Sequence, residues 1–186
     1  MIRHLVLPCI AALAPLAAAE WTLDDDHSFA LFRVQHMGAG FTWGRFDAIA
    51  GELSYDPAAP ANAKLSVTIQ AASVSTGVPL MEEHLRKPDF FDVKQFPTLT
   101  FVSKTWTAKA ENTYEILGDL TMHGVTRPVT VTAVRTGLGA NAYTKKTLVG
   151  FETTFTVQRA DFGLKYGAGA VGDEVRITFA LEAIQK

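Results

Sequence analysis

The stretch "AKLSVTIQA", Ala63 to Ala71, is apolar at Ala63, Leu65, Val67, Ile69 and Ala71 and polar at Lys64, Ser66, Thr68 and Gln70. Period two without an exception is the signature of a strand with one face in a core and the other in water. The same alternation recurs along the chain. Val149, Phe151, Phe155 and Val157 share a face with Thr153, opposite Gly150, Glu152, Thr154 and Thr156. Val175, Ile177, Phe179, Leu181 and Ala183 oppose Arg176, Thr178, Ala180 and Glu182. Ala30, Phe32, Val34 and His36 form another such row, as do Tyr114, Ile116, Gly118, Leu120 and Met122. Eight strands are expected, over 27–36, 43–55, 63–74, 98–108, 113–122, 125–136, 145–157 and 174–184. Connections are mostly short, and His123-Gly124 suits a two-residue hairpin turn because both residues tolerate positive φ. Long alternating strands in succession predict an all-β fold, an antiparallel barrel or sandwich. Eight strands enclose just enough room for packed side chains or one small ligand.

One segment departs from the alternation. "VPLMEEHLRKP" predicts a short helix, with Pro79 in its first turn, acids early, bases late and Pro88 as a stop. "RKPDFFDVKQFPTLTF", Arg86 to Phe101, follows with Phe90, Phe91, Phe96 and Phe101 among charges and two prolines. A surface connection has no need of so many rings. Helix and Phe-rich crossover together are expected to cover one mouth of the barrel.

The N-terminal "MIRHLVLPCIAALAPLAAAE" has basic Arg3 and His4, an apolar run and Ala17-Ala18-Ala19, the layout of a secretory signal cleaved near Ala19. The expected organisation is a signal peptide over 1–19 and one barrel domain over 20–186. The apolar run is too short, and too broken by Pro8 and Pro15, to span a membrane. The chain has 17 basic residues, of which Arg3 would leave with the signal, against 19 acidic ones, for a net of −3. No basic run or stripe points to nucleic acid. Cys9, the one cysteine, would also leave with the signal, so stability must come from burial rather than disulfides.

Three patterns suggest chemistry and fail on context. "GAGAVG", Gly167–Gly172, has the spacing of a dinucleotide loop, but a strand rather than a helix follows it. "DDDHS", Asp24–Ser28, sets acids, His and Ser side by side, whereas triads assemble in space and strand neighbours face opposite ways. His27, His36, His84 and His123 lack any metal-binding spacing, which leaves only their convergence in space as a route to a metal or haem redox site. No metal site, catalytic residue or resident cofactor is expected.

The chain resembles the YceI family of exported, lipocalin-like polyisoprenoid-binding proteins. Four blocks carry the resemblance in order: "DHSFALFRVQHMGAGFTWGRFDAIAGEL", "HLRKPDFFDVKQFPTLTF", "GDLTMHGVTRPVTV" and "RADFGLKYGAGAVGDEVRITF". It implies a barrel around a long apolar pocket, a periplasmic or secreted location, and non-catalytic carriage, storage or sensing of a long isoprenoid or similar amphiphilic lipid. A polyprenyl-pyrophosphate or a quinone would fit. In that frame Phe32, Val34, Val67, Ile69, Phe101, Ile116, Phe151, Phe155 and Phe179 are expected to line the tunnel. Leu80, Leu85, Phe90 and Phe91 are placed at its mouth. His36, on the inward row, is a ligand contact. His36, His84, Arg86 and Arg159 are the head-group candidates. The competing readings are a small outer-membrane β-barrel, with the alternation facing the other way, and a His-dependent metal or haem redox protein. The oligomeric state is left open between monomer and homodimer.

Overall fold

A computed structural model describes residues 18–186; the expected signal peptide lies almost wholly outside them. Eleven strands form one antiparallel sheet. They are β1 (Ala19–Leu23), β2 (Phe29–His36), β3 (Gly40–Phe46), β4 (Ile49–Tyr55), β5 (Lys64–Gln70), β6 (Val74–Ser75), β7 (Thr98–Ala110), β8 (Thr113–Met122), β9 (Val125–Ala140), β10 (Thr147–Gln158) and β11 (Val171–Gln185). Among the described residues the one α-helix, α1 (Pro79–Leu85), precedes the crossover.

The eleven pieces reduce to eight staves. β1 with β2, β3 with β4, and β5 with β6 are halves of three bent strands. β1 pairs with β4 and β2 with β3, while both β1 and β2 lie along β11. The barrel closes through β1–β11, with Trp21 opposite Gln185. The bends are stitched to one another. The Asp47 N–H donates to the Ser73 carbonyl at 3.1 Å and the Ala48 N–H to Ser73 Oγ at 3.0 Å. Ser28 Oγ accepts from the Glu182 N–H at 3.2 Å and donates to its carbonyl at 3.3 Å.

The expected strands are present, with two differences. The first stave begins at Ala19, eight residues before the expected 27, because "AEWTL" alternates too briefly to declare itself beside the apolar leader. The staves expected at 43–55 and 63–74 are each broken, at Asp47-Ala48 and at a 3-10 turn over Ala71–Ser73. The His123-Gly124 turn forms as expected, both residues at positive φ (51° and 73°), closing the Met122–Val125 pair.

Inward rows are apolar and outward rows polar. Val149, Phe151 and Val157 are buried on β10, while Glu152, Thr154 and Thr156 are exposed. A membrane-spanning barrel needs an apolar band on the outside, and the polar outer rows of β10 and β11 do not provide it. No helix among the described residues is long and apolar enough to cross a membrane.

Candidate ligand tunnel

The inward rows do not fill the barrel. They border a tunnel whose space free of atoms, counted together with open solvent at its mouth, is about 1510 Å³. Its polar lining residues are Thr100, Glu152, Thr153 and Arg159; every other residue of the wall is apolar. Phe32, Val34, Val67, Ile69, Phe101, Ile116, Phe151, Phe155 and Phe179 all line it, as do Leu85, Phe90 and Phe91 from the helix and crossover. Two of these rings depend on glycine. Phe32 lies across Gly44 and Phe101 across Gly118, at positions where a Cβ would sit 2.4 Å from each ring's Cζ.

Aromatic rings close one end. Tyr55, Trp106, Tyr114 and Phe151 pack with centroids 5.2–6.2 Å apart. The Tyr55 and Tyr114 hydroxyls share a 2.8 Å hydrogen bond, and Trp21 Nε1 donates to the Tyr55 carbonyl at 3.2 Å. Arg135 donates to the Tyr55 hydroxyl at 3.4 Å and to Asn112 Oδ1. Burial, with the Tyr114 hydrogen bond, pushes the Tyr55 phenol up, so it stays protonated throughout the ordinary range.

The other end is covered by α1, the crossover and the β10–β11 loop. Phe91 meets Phe46 of β3 edge-on at 5.4 Å. Phe90 meets His84 at 5.0 Å and Tyr166 of the β10–β11 loop at 5.3 Å, so helix, crossover and loop share one aromatic corner. Phe96 stacks on His123 at 4.5 Å and pins the crossover to the β8–β9 turn. Both adjacent rings, Phe90 and Phe91, therefore reach the tunnel while each also holds a different piece of the rim. The Glu82 carboxylate accepts from the N–H groups of Thr76 (2.8 Å) and Gly77 (3.0 Å), which hold its pKa below the usual range and tie the helix to the strand before it.

Several expected contacts are corrected. His36 is exposed and away from the tunnel: it pairs with Gly40 and Val171 at the end of β2, beyond the last covered turn of the barrel. Leu80 is 80% exposed, because the helix turns its Leu85 side inward. His84 is spent on the aromatic corner and lies 3.6 Å from Asp89. Arg86 points at the wall, donating to the carbonyls of Ala72 and Val74, both at 2.8 Å, and so straps the helix to the bend between β5 and β6. Of the head-group candidates only Arg159 reaches the tunnel lining. It is 6% exposed and donates to the carbonyls of Gly172 (2.9 Å), Leu164 (2.7 Å), Tyr166 (2.8 Å) and Val171 (3.0 Å). It therefore shapes the β10–β11 loop.

Sequence reasoning missed Trp106 and Phe46 in the lining. Trp106 sits on an even position of a strand whose odd positions, Leu99 and Phe101, face inward. A bulge between Ser103 and Thr105 flips the parity, which no pattern in "SKTW" announces. Among the described residues the buried Trp106 Nε1–H has no hydrogen-bond partner.

No candidate metal-binding group among the described residues contains two histidines. Asp24, His27 and Glu182 do come within 4.8 Å at the bend in the first stave. There Asp24 accepts from His27 Nδ1 at 2.9 Å and raises its pKa.

A closed eight-stave barrel with a wide apolar interior, one end sealed by rings and the other capped by a helix and loop, defines a lipocalin-like binding barrel. The YceI-like domain model matches residues 21–183, and the chain belongs to the YceI family. The UPF0312 protein of Pseudomonas putida strain F1 is 34% identical over 171 residues, 91% of this chain and 88% of that one. A UPF0312 protein of Shewanella baltica strain OS185 is 34% identical over 178 residues, 94% and 93% of the two chains. Among solved structures, BcnA of Burkholderia cenocepacia superposes with a TM-score of 0.78 at 27% identity, covering 86% of this chain and 98% of its own. A polyisoprenoid binding domain from Saccharophagus degradans shares the fold, with a TM-score of 0.70 at 18% identity over 91% and 99% of the two chains.

Proposed function

We propose that the barrel binds one long isoprenoid or comparable amphiphilic lipid, without chemistry, as a carrier, store or sensor in an exported location. The observation that carries this is the lining, an extended wall of Phe, Val, Ile and Leu with almost no polar atom to solvate anything but a hydrocarbon. Each CH₂ moved from water into such a space gains about 0.8 kcal/mol before costs. At a realised limit of ~0.3 kcal/mol per heavy atom, a chain of about forty carbons reaches roughly 12 kcal/mol, or about nanomolar affinity. A polyprenyl-pyrophosphate or a quinone has the required form, a long apolar tail and a polar end that stays at the mouth. The Saccharophagus degradans domain of the same fold is described as polyisoprenoid binding, a ligand class that suits this tunnel. Native mass spectrometry of the chain purified from a bacterial host tests the reading. The expected result is a co-purified lipid, or saturable uptake of an added quinone or prenyl phosphate. A chain that arrives empty and takes up neither would overturn it.

A further inference from the structure

The outer face of the β2–β3 hairpin breaks the pattern of polar outward rows. Trp43 is 57% exposed, Phe41 52% and Met37 64%. Beside them, Arg33 of β2 stands directly opposite Arg176 of β11 in the ladder. Like charges in direct register destabilise a sheet, and among the described residues neither arginine has a carboxylate within ion-pair distance. Arg33 instead lies over the Phe41 ring at 4.2 Å and near the Trp43 ring at 5.7 Å. The register sets the row Thr156, Arg176, Arg33, Trp43 across four strands. The contacts of Arg33 with the two rings offset only part of that cost, and Arg176 has no counter-charge among the described residues. Exposed rings beside two such arginines point to a surface built for something other than holding the fold together.

The patch sits at the end of the tunnel that the helix and the β10–β11 loop cover. The inner face of the same hairpin contributes Phe32 and Val34 to the lining. Its turn borders the β10–β11 loop, with the Met37 N–H donating to the Ala170 carbonyl at 2.7 Å. That loop in turn carries Tyr166 to the aromatic corner.

We infer that the face formed by Met37, Phe41, Trp43, Arg33 and Arg176 docks onto an anionic lipid surface. Trp and Phe settle at the boundary between head groups and acyl chains, and paired arginines complement anionic head groups. Anionic lipid also relieves the repulsion that the free protein leaves unanswered. Docked this way, the mouth lies close to the bilayer and an apolar tail passes between bilayer and tunnel with little exposure to water. That purpose rests on the tunnel reading above; the docking itself does not.

Trp43 reports on the contact. Trp21 and Trp106 are buried, at 3% and 4% exposure, but Trp106 lines the tunnel and responds to lipid taken into it, so the emission is read in a Trp106→Phe chain, where a change on adding vesicles belongs to Trp43. Vesicles of equal parts phosphatidylcholine and phosphatidylglycerol are expected to blue-shift the emission and carry the protein in flotation, with added salt weakening both. Arg33→Gln is expected to weaken this binding about fivefold, and Phe41→Ser with Trp43→Ser to abolish it. Emission unmoved by saturating vesicles would overturn the inference. So would a blue shift that follows protein concentration without vesicles, because a second copy of the chain would then cover the face. Prenyl phosphate titrated into the same samples separates the two claims. Uptake without vesicle binding removes the docking face and leaves the tunnel reading, and vesicle binding without uptake does the reverse.

Discussion

Phe32 and Gly44 are cross-strand partners, and the ring of one occupies the space that a side chain on the other would need. A Cβ on Gly44 would stand 2.4 Å from Phe32 Cζ and 2.8 Å from Cε1. The width of the tunnel at this level is thus set by a missing side chain in the wall.

Gly44→Ala is expected to drive the Phe32 ring into the tunnel and to cost about 1–3 kcal/mol of stability, the usual penalty of overpacking. Gly118→Ala is expected to cost more, because its Cβ would meet the Val102 carbonyl at 2.7 Å as well as the Phe101 ring. Gly137→Ala, with nothing within 4 Å, serves as the neutral control. Denaturant melts together with ligand titration check the series. Equal losses at Gly44 and Gly137 would refute the account of the ring.

Phe91→Ala removes the contact with Phe46 and opens the mouth. Stability is expected to fall by about 2 kcal/mol, less than for a fully buried Phe, and bound lipid is expected to dissociate faster. Leu80→Ala, about 140° around the helix from the inward Leu85 and mostly in water, is expected to change neither. Stopped-flow displacement of a fluorescent prenyl ligand measures the difference.

Arg159→Met leaves four carbonyls around the β10–β11 loop without their donor, one of these bonds buried and three partly buried. Each buried group left unsatisfied costs about 1–3 kcal/mol. The variant is expected to unfold locally around the β10–β11 loop before the barrel melts. Hydrogen exchange at Leu164, Tyr166 and Val171 would show it. Arg159→Lys is expected to rescue little, since a single ammonium cannot serve four carbonyls at once.

The Glu82 carboxylate is more acidic folded than unfolded because the Thr76 and Gly77 amides hold its charged form. Its contribution is therefore fully present above the ordinary Glu pKa, near 4.5, and is lost as pH falls through the lower folded value. Amide protection at Thr76 and Gly77, measured against the intrinsic exchange rate at each pH, is expected to fall below that range. Glu82→Gln, which keeps an acceptor but not the charge, is expected to flatten the dependence. An unchanged pH profile in that variant would assign the effect elsewhere.

The tunnel was legible where periodicity and wall coincide. Val67, Phe101, Phe155 and Phe179 sit in the middle of long staves, so being on the apolar row and being inside the barrel are the same thing. The sequence misleads at the ends and at irregularities. His36 keeps the parity of Phe32 and Val34, but its strand has already run past the covered part of the barrel. Trp106 changes face through a one-residue bulge. Arg86 and Arg159 carry the right charge for a head group, yet both are taken up by main-chain carbonyls, and hydrogen-bond accounting of that kind depends on loop geometry that composition does not encode. The crossover fell between these cases. Its many rings announced a cover, but only the structure shows that Phe90 and Phe91 both face the tunnel while holding different rims.

The seam of the barrel joins β1 to β11, so the first stave meets the last. Loop-closure entropy makes such a distant pairing slow relative to the hairpins β7–β8, β8–β9 and β10–β11. Folding is therefore expected to build an open, curved sheet first and to shut it last. Until β11 arrives, a Phe-rich interior and two bare strand edges face solvent together. For this chain, the moment of greatest aggregation hazard comes late in folding, just before the ring is complete.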